Sequence, residues 1–215
     1  MGKIPRSRDQ SYESYRNRIT STEVRNDKQL NSRLLKVVDA IPAGAHVLDV
    51  ACGTGRVLQE LIKRGCTGRG IEIIESRVEL ANKNGMDVML GDVDSWPENE
   101  VVRELLFGTY DVVVFSKCLT YLRTKNEIME RLKTKSIIVF DNNPGSLRNR
   151  LKGQAEGVMN WKAELPYRLK GGQVIDINGP SAIAKWGASY GYGRSHKLRG
   201  GLFSGSLIVK MEADR

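Results

Sequence analysis

Three cysteines in 215 residues, at positions 52, 66 and 118, are an odd number with no CxxC spacing. They form neither a disulfide framework nor a zinc signature, so a reducing, cytoplasmic setting is expected. No apolar run approaches the ~20 residues that a bilayer span requires. The first ten residues, MGKIPRSRDQ, are charged rather than apolar, so neither a membrane anchor nor an export signal is expected. Internal repeats and low-complexity tracts are missing too, and the length suits one large domain with a hydrophobic core of its own. Positive charge is in excess: 34 Lys and Arg stand against 25 Asp and Glu, a formal net charge of +9. That balance invites anionic partners, but it is common on enzymes that handle small molecules, and nucleic acid is not the favoured partner.

Apolar stretches alternate with helical periodicity. Residues 45–51 (AHVLDVA) read as a strand, 55–65 (GRVLQELIKRG) as a helix with Val57, Leu58, Leu61 and Ile62 on one face, and 68–74 (GRGIEII) as a second strand. The alternation continues with helices at 76–84, 98–106 and 125–132 between strands at 87–90, 110–115 and 136–140. VVVF and IIVF are apolar without alternation, as strands covered on both faces are. The expected fold is therefore α/β: a doubly wound, mostly parallel seven-stranded Rossmann-like sheet with helices on both faces. Strands at 194–199 and 204–211, joined by a short link, form an antiparallel hairpin at its C-terminal edge.

Two segments fall outside that rhythm. Residues 1–40 are expected to form an N-terminal leader or cap, with a helix over 27–38 that IPAG ends. Residues 41–215 form the main domain, and within it 142–192 holds most of the Pro, Trp and Gly punctuation. Ligand crevices in open α/β sheets lie beyond the carboxyl ends of the strands. Both segments are placed to act there as lids, or to serve as plain connections with one extra helix.

The turn between the first strand and its helix carries the strongest chemical signal. Gly53 and Gly55 permit a sharp reversal and let a ligand approach bare backbone N–H groups. Asp49 lies inside the end of the strand, where a carboxylate needs a partner. The spacing of Asp49, Ala51, Gly53 and Gly55 differs from the G-x-G-x-x-G dinucleotide fingerprint, and a cationic or hydroxylic ligand would account for the acid. Glu72 ends the second strand in GIEI, where a carboxylate can accept from two ribose hydroxyls. GDV, at 91–93, places Asp92 near an adenine amino group.

In this order VLDVACGTG, GIEI, GDV and YDVVVFSKCLTYL resemble the four motifs of the class I S-adenosylmethionine-dependent methyltransferases. One departure is Ala51, where glycine is commoner. The resemblance implies S-adenosyl-L-methionine as cofactor and S-adenosyl-L-homocysteine as its product. It places Asp49, Gly53 and Gly55 at the methionine end, Glu72 at the ribose and Asp92 at the adenine, with Ile73 and Val93 packing on the faces of the base. Ala51, Cys52 and Ser116 complete the expected cofactor contacts, Cys52 as a small residue facing the ligand. A narrower likeness is carried by GDVDSWP, FSKCLTYL and FDNNPGSLRNRLKG followed by ELPYRL. These are similar to the MetW-like methyltransferases of the broad type 11 group, associated with methionine biosynthesis, whereas NGPSAIAKWGASYGYG is only loosely similar.

Methyl transfer from a sulfonium is an in-line displacement that mainly needs alignment. A base is required only where the acceptor begins protonated. Asp141, Tyr15 and Tyr121 are the candidate catalytic residues. Ser116, Lys117, Asn142 and Asn143 lie close by, each with an ordinary capping, packing or turn role open to it. FDNN resembles the Asp-Asn pair of metal-dependent catechol-type methyltransferases, but their partner Asp is Ser116 here, so no catalytic metal is expected. Trp161, Trp186, Arg148 and Arg150 can line a pocket for an anionic or aromatic acceptor, or can be lid core and surface charge. His46 reads as a strand boundary and His196 as solvated. The expected activity is methyl transfer to a small-molecule acceptor. An RNA or protein methyltransferase would lack its NPPY-like or Pro-Cys motif, and a MetW-like cofactor-binding accessory protein with little catalysis also stays open.

Overall fold

The computed structural model describes residues 32–119, 121–142, 180–199 and 206–214. Tyr12, Tyr15, Asn143, Arg148, Arg150, Trp161 and Tyr167 lie outside them. In chain order the elements are α1 (Ser32–Asp39), β1 (His46–Val50), α2 (Arg56–Lys63), β2 (Thr67–Glu72), α3 (Glu75–Lys83), β3 (Val88–Leu90), a 3-10 turn (Val93–Ser95), α4 (Glu100–Leu106), β4 (Tyr110–Ser116), α5 (Lys125–Arg131), β5 (Thr134–Asn142), α6 (Pro180–Ala188), β6 (Arg194–Arg199) and β7 (Ser206–Glu212). The seven strands form one sheet of order β3-β2-β1-β4-β5-β7-β6. Strands β1 to β5 pair in parallel, and β7 runs antiparallel between β5 and β6. The chain winds outward from β1 to β3 and then returns to start again at β4. The crevice at a switch point of this kind opens at the carboxyl ends of β1 and β4.

Alternation along each strand feeds two layers. Val47, Val112, Val114, Ile138 and Phe140 meet Val37 and Val38 of α1 and Val57 and Leu61 of α2 on one face. On the other, Leu48, Val50, Phe115, Ile137 and Val139 meet Leu105, Leu106, Ile128, Met129, Ile183 and Trp186 from α4, α5 and α6. A smaller cluster, Cys52, Leu58, Val78, Ala81, Met86 and Val88, sits beneath α3. Ile62, expected on the inward face of α2, is 45% exposed. At about 100° per residue Val57, Leu61 and Leu58 already fill the inward arc, and Ile62 falls about 40° beyond it.

Two parts of the segments set apart by composition are built into this core. Val37 and Val38, at the end of the leader, are fully buried. Ile183 and Trp186 are buried in α6, the Trp186 indole N–H donating to Asn126 Oδ1 at 3.0 Å. Trp186 is thus packed in the core, and residues 143–179 of the expected 142–192 lid lie outside the described residues. Among the described residues no helix is long and apolar enough to cross a membrane, and no cluster of His, Cys, Asp and Glu is arranged to hold a metal ion.

Candidate functional site

At the end of β1 the chain enters the left-handed region three times in five residues, at Ala51 (φ 59°), Gly53 (φ 62°) and Gly55 (φ 72°). Cys52 N–H donates to the Ile71 carbonyl at 3.2 Å and Gly55 N–H to the Cys52 carbonyl at 3.2 Å, which closes the turn. The two glycines do different work. A Cβ on Gly55 would stand 2.9 Å from Met86 Cγ, whereas one on Gly53 would meet nothing within 4 Å. Gly55 is bare so that α2 can pack beside Met86, and Gly53 is bare on an open side. Ala51 holds its conformation at a cost of about 1–2 kcal/mol. The Cys52 thiol packs among Leu58, Val78, Ala81, Met86 and Val88. Burial pushes its pKa up, with the charges of Asp49 and Glu72 adding to the effect.

Two acids converge on this turn, and a third lies at the end of β3. Asp49 is fully buried, and its Oδ1 accepts from Ser116 Oγ at 2.8 Å across the β1–β4 pair. Its Oδ2 is buried with no hydrogen-bond partner among the described residues. Burial raises the Asp49 pKa to about 7, against the Ser116 hydrogen bond and with help from the charge of Glu72. Glu72, 4% exposed, accepts from three backbone groups: Gly53 N–H at 2.8 Å, Ile73 N–H at 3.0 Å and Ile74 N–H at 3.1 Å. It braces the glycine turn as well as ending β2, a structural role that the motif alone did not show. Ile73 is half-buried. Asp92 Oδ1 accepts from Asp94 N–H at 3.0 Å and so caps the 3-10 turn, while Val93 packs into the α4-side core.

Across the crevice, β4 ends in a second left-handed residue that is not glycine, Lys117 (φ 58°). Its N–H donates to the Phe140 carbonyl at 2.6 Å and its ammonium lies 5.3 Å from the Phe140 ring centre. Burial and the charge of Arg33 lower the Lys117 pKa, and Asp141 opposes them. Asp141, at the end of β5, is 1% exposed and stands opposite Leu207 of β7. Next in the chain, Cys118 donates to the Val50 carbonyl at 3.7 Å. Burial and the combined charge of Asp141, Asp49 and Glu72 hold that thiol well above its ordinary pKa. Tyr121 is half-buried, its N–H bonded to the Cys118 carbonyl at 2.8 Å. Strained backbone of this kind concentrates at functional sites, and here Ala51 and Lys117 flank the switch point from its two sides.

Asp94 is the polar residue that the motifs did not single out. It accepts from Arg123 N–H on both oxygens, at 2.9 and 3.0 Å, and on Oδ1 from Thr124 N–H and Oγ1 at 2.9 Å each. The only trace in the sequence is the second acid of GDVD, which spacing alone cannot distinguish from a surface charge.

Residues 31–176 match the family described as Methionine biosynthesis protein MetW. Similar curated proteins include the presumed methyltransferase YqeM of Bacillus subtilis (strain 168), 29% identical over 115 residues, 47% of this chain and 44% of that one. The S-adenosyl-L-methionine-dependent Diels-Alderase iccD of Talaromyces variabilis is 34% identical over 65 residues, 30% of this chain and 20% of that one. The chain thus spans less than half the length of these curated relatives. Among solved structures, magnesium protoporphyrin IX methyltransferase (ChlM) from Synechocystis PCC 6803 with bound SAH has a TM-score of 0.61 at 17% identity, over 96% of this chain and 98% of that one. That likeness identifies the sheet as the class I methyltransferase fold. Since the matched residues run from α1 through every parallel strand and both sides of the cleft, the chain belongs to the MetW family.

Proposed function

We propose that this protein binds S-adenosyl-L-methionine in the crevice between β1 and β4 and transfers its methyl group to a small-molecule acceptor. The observation that carries the reading is the buried, unpartnered Oδ2 of Asp49, beside a glycine whose missing Cβ leaves open space. A buried acceptor of that kind calls for a cationic or hydrogen-bond-donating group, and an amino acid ammonium meets the need. Asp49 and Gly53 would hold the methionine end, Glu72 the ribose, and Asp92 the adenine, with Ile73 and Val93 packing on the base. When bound, the cofactor supplies a methyl carbon on a cationic sulfur that leaves as a neutral thioether.

The remaining work falls to the chain. Lys117, Tyr121 and Asp141, at and beyond the ends of β4 and β5, would orient an acceptor, and Asp141 or Tyr121 would take its proton where it has one to lose. Tyr15 and the leader, with residues 143–179, would cover the crevice and exclude water, which competes in any such displacement. ChlM is named for a small-molecule acceptor, and that supports the choice of acceptor class over RNA or protein.

A second reading, a cofactor-binding accessory role in methionine biosynthesis with little catalysis, is supported by the family's description and by the name of iccD, which is not that of a methyltransferase. Calorimetry with S-adenosylmethionine and S-adenosylhomocysteine, followed by incubation with tritiated-methyl cofactor and a metabolite extract, RNA or protein, separates these. Binding of both and label in the small-molecule fraction are expected. Label in RNA or protein overturns the acceptor class. Binding without transfer favours the accessory role, and no binding overturns both readings.

A further inference from the structure

The 3-10 turn after β3 and the loop between β4 and α5 are separate in sequence but tied together in space. Asp92, on the turn, caps it by accepting from Asp94 N–H at 3.0 Å. Asp94 then turns its carboxylate outward to the other loop and accepts from Arg123 N–H, Thr124 N–H and Thr124 Oγ1. At the far end of α5 the Arg131 guanidinium lies 4.9 Å from the centre of the Trp96 ring, one residue beyond the same turn. Both ends of α5 are therefore held by one three-residue stretch, Asp94 to Trp96. Hydrogen bonds to a carboxylate are the stronger kind, and Asp94 takes them from two successive amides of the loop.

We propose that Asp94 is a positioning residue: it ties the loop that carries Tyr121 to the turn that carries Asp92, so that filling the adenine end of the cleft also fixes the acceptor end. This rests on the cofactor reading above. The loop has apolar anchors as well, since Leu119 and Leu122 are buried, so losing the carboxylate leaves the loop attached but free of the turn. What Asp94 adds is dependence of one end of the cleft on the other, a coupling between sites rather than a contact to either ligand.

Hydrogen exchange resolved at single amides tests this with S-adenosylhomocysteine as the probe. In the wild type, saturating probe should slow exchange at Arg123 and Thr124 by about tenfold or more, and should also protect Gly53 on the far side of the crevice. In Asp94→Ala the probe should still protect Gly53 but no longer alter exchange at Arg123 and Thr124. Asp94→Asn, which keeps shape and one acceptor, should fall between them and replaces the alanine variant if that fails to fold. Equal protection of the loop in wild type and variants would overturn the coupling, as would a wild-type loop indifferent to the probe while Gly53 responds. A wild-type Gly53 that does not respond would instead overturn the cofactor reading itself.

Discussion

The two sides of the β1–β4 crevice solve the placement of charge differently. On the β1–β3 side each acid is held by backbone close to it or by its neighbouring strand: Glu72 by Gly53, Ile73 and Ile74, Asp92 by Asp94, Asp49 by Ser116. On the β4–β5 side, Lys117, Cys118 and Asp141 act on one another through low-dielectric space. The first side is a rigid, pre-formed cradle of the sort that binds one ligand type well. The second is electrostatically loaded, its thiol and ammonium both shifted by burial and by the charge of Asp141.

That contrast can be broken most sharply at Asp49. Its pKa of about 7 lies above the ordinary value of 3.8, so the folded protein holds a proton there that the unfolded chain has already lost. Stability should fall as pH rises from about 4 to 7 and then level off, a loss on the order of 4 kcal/mol. Asp49→Asn should remove this dependence, leaving the ligand-free protein more stable at pH 8 while abolishing S-adenosylhomocysteine binding. Urea unfolding between pH 4 and 8, with calorimetry, checks both; an unchanged pH profile would assign the strain elsewhere.

The two glycines sharpen the comparison within the cradle. Gly55→Ala combines a left-handed φ with a clash on Met86 and should cost about 2–3 kcal/mol. Gly53→Ala should cost about 1 kcal/mol yet weaken ligand binding by the larger factor. Measuring stability and affinity on both variants decides it, and the reverse pattern would exchange their roles. Smallest of all should be Ala51→Gly and Lys117→Gly, one on each side. Each relieves a left-handed residue, offset by glycine's greater chain entropy, for a net gain of about 0.5–1 kcal/mol. A rise in melting temperature of roughly 1–4 °C is the expected reading, and a fall at Lys117 alone would show that its side chain contributes more than its backbone costs.

What was legible in the sequence follows the same divide. The strand, turn and helix around Gly53, the acid of GIEI and the acid of GDV are local patterns, and the parallel order of strands follows from their apolar runs. Left-handed Ala51 and Lys117 carry no such mark, because neither residue type favours that conformation. Asp94 depends on a partner 29 residues away. Gly187, read as punctuation, is instead a helical glycine where a side chain would run into Met211. A glycine inside a helix weakens its sequence signal, so the pattern fixes no bounds for α6 and leaves Trp186 open to a pocket or a lid core.

The fastening of β5 and α6 has an evolutionary consequence. Strand β5 is zipped to β7 from Ser136 to Asn142, and α6 is pinned through Ile183 and Trp186, so residues 143–179 start and finish at fixed posts. A span closed between such posts can be lengthened or exchanged cheaply, since each doubling of a flexible loop adds only about 0.6 kcal/mol of closure entropy. The fold thereby separates inheritance from innovation: one scaffold can be copied unchanged while the stretch between its posts is rewritten.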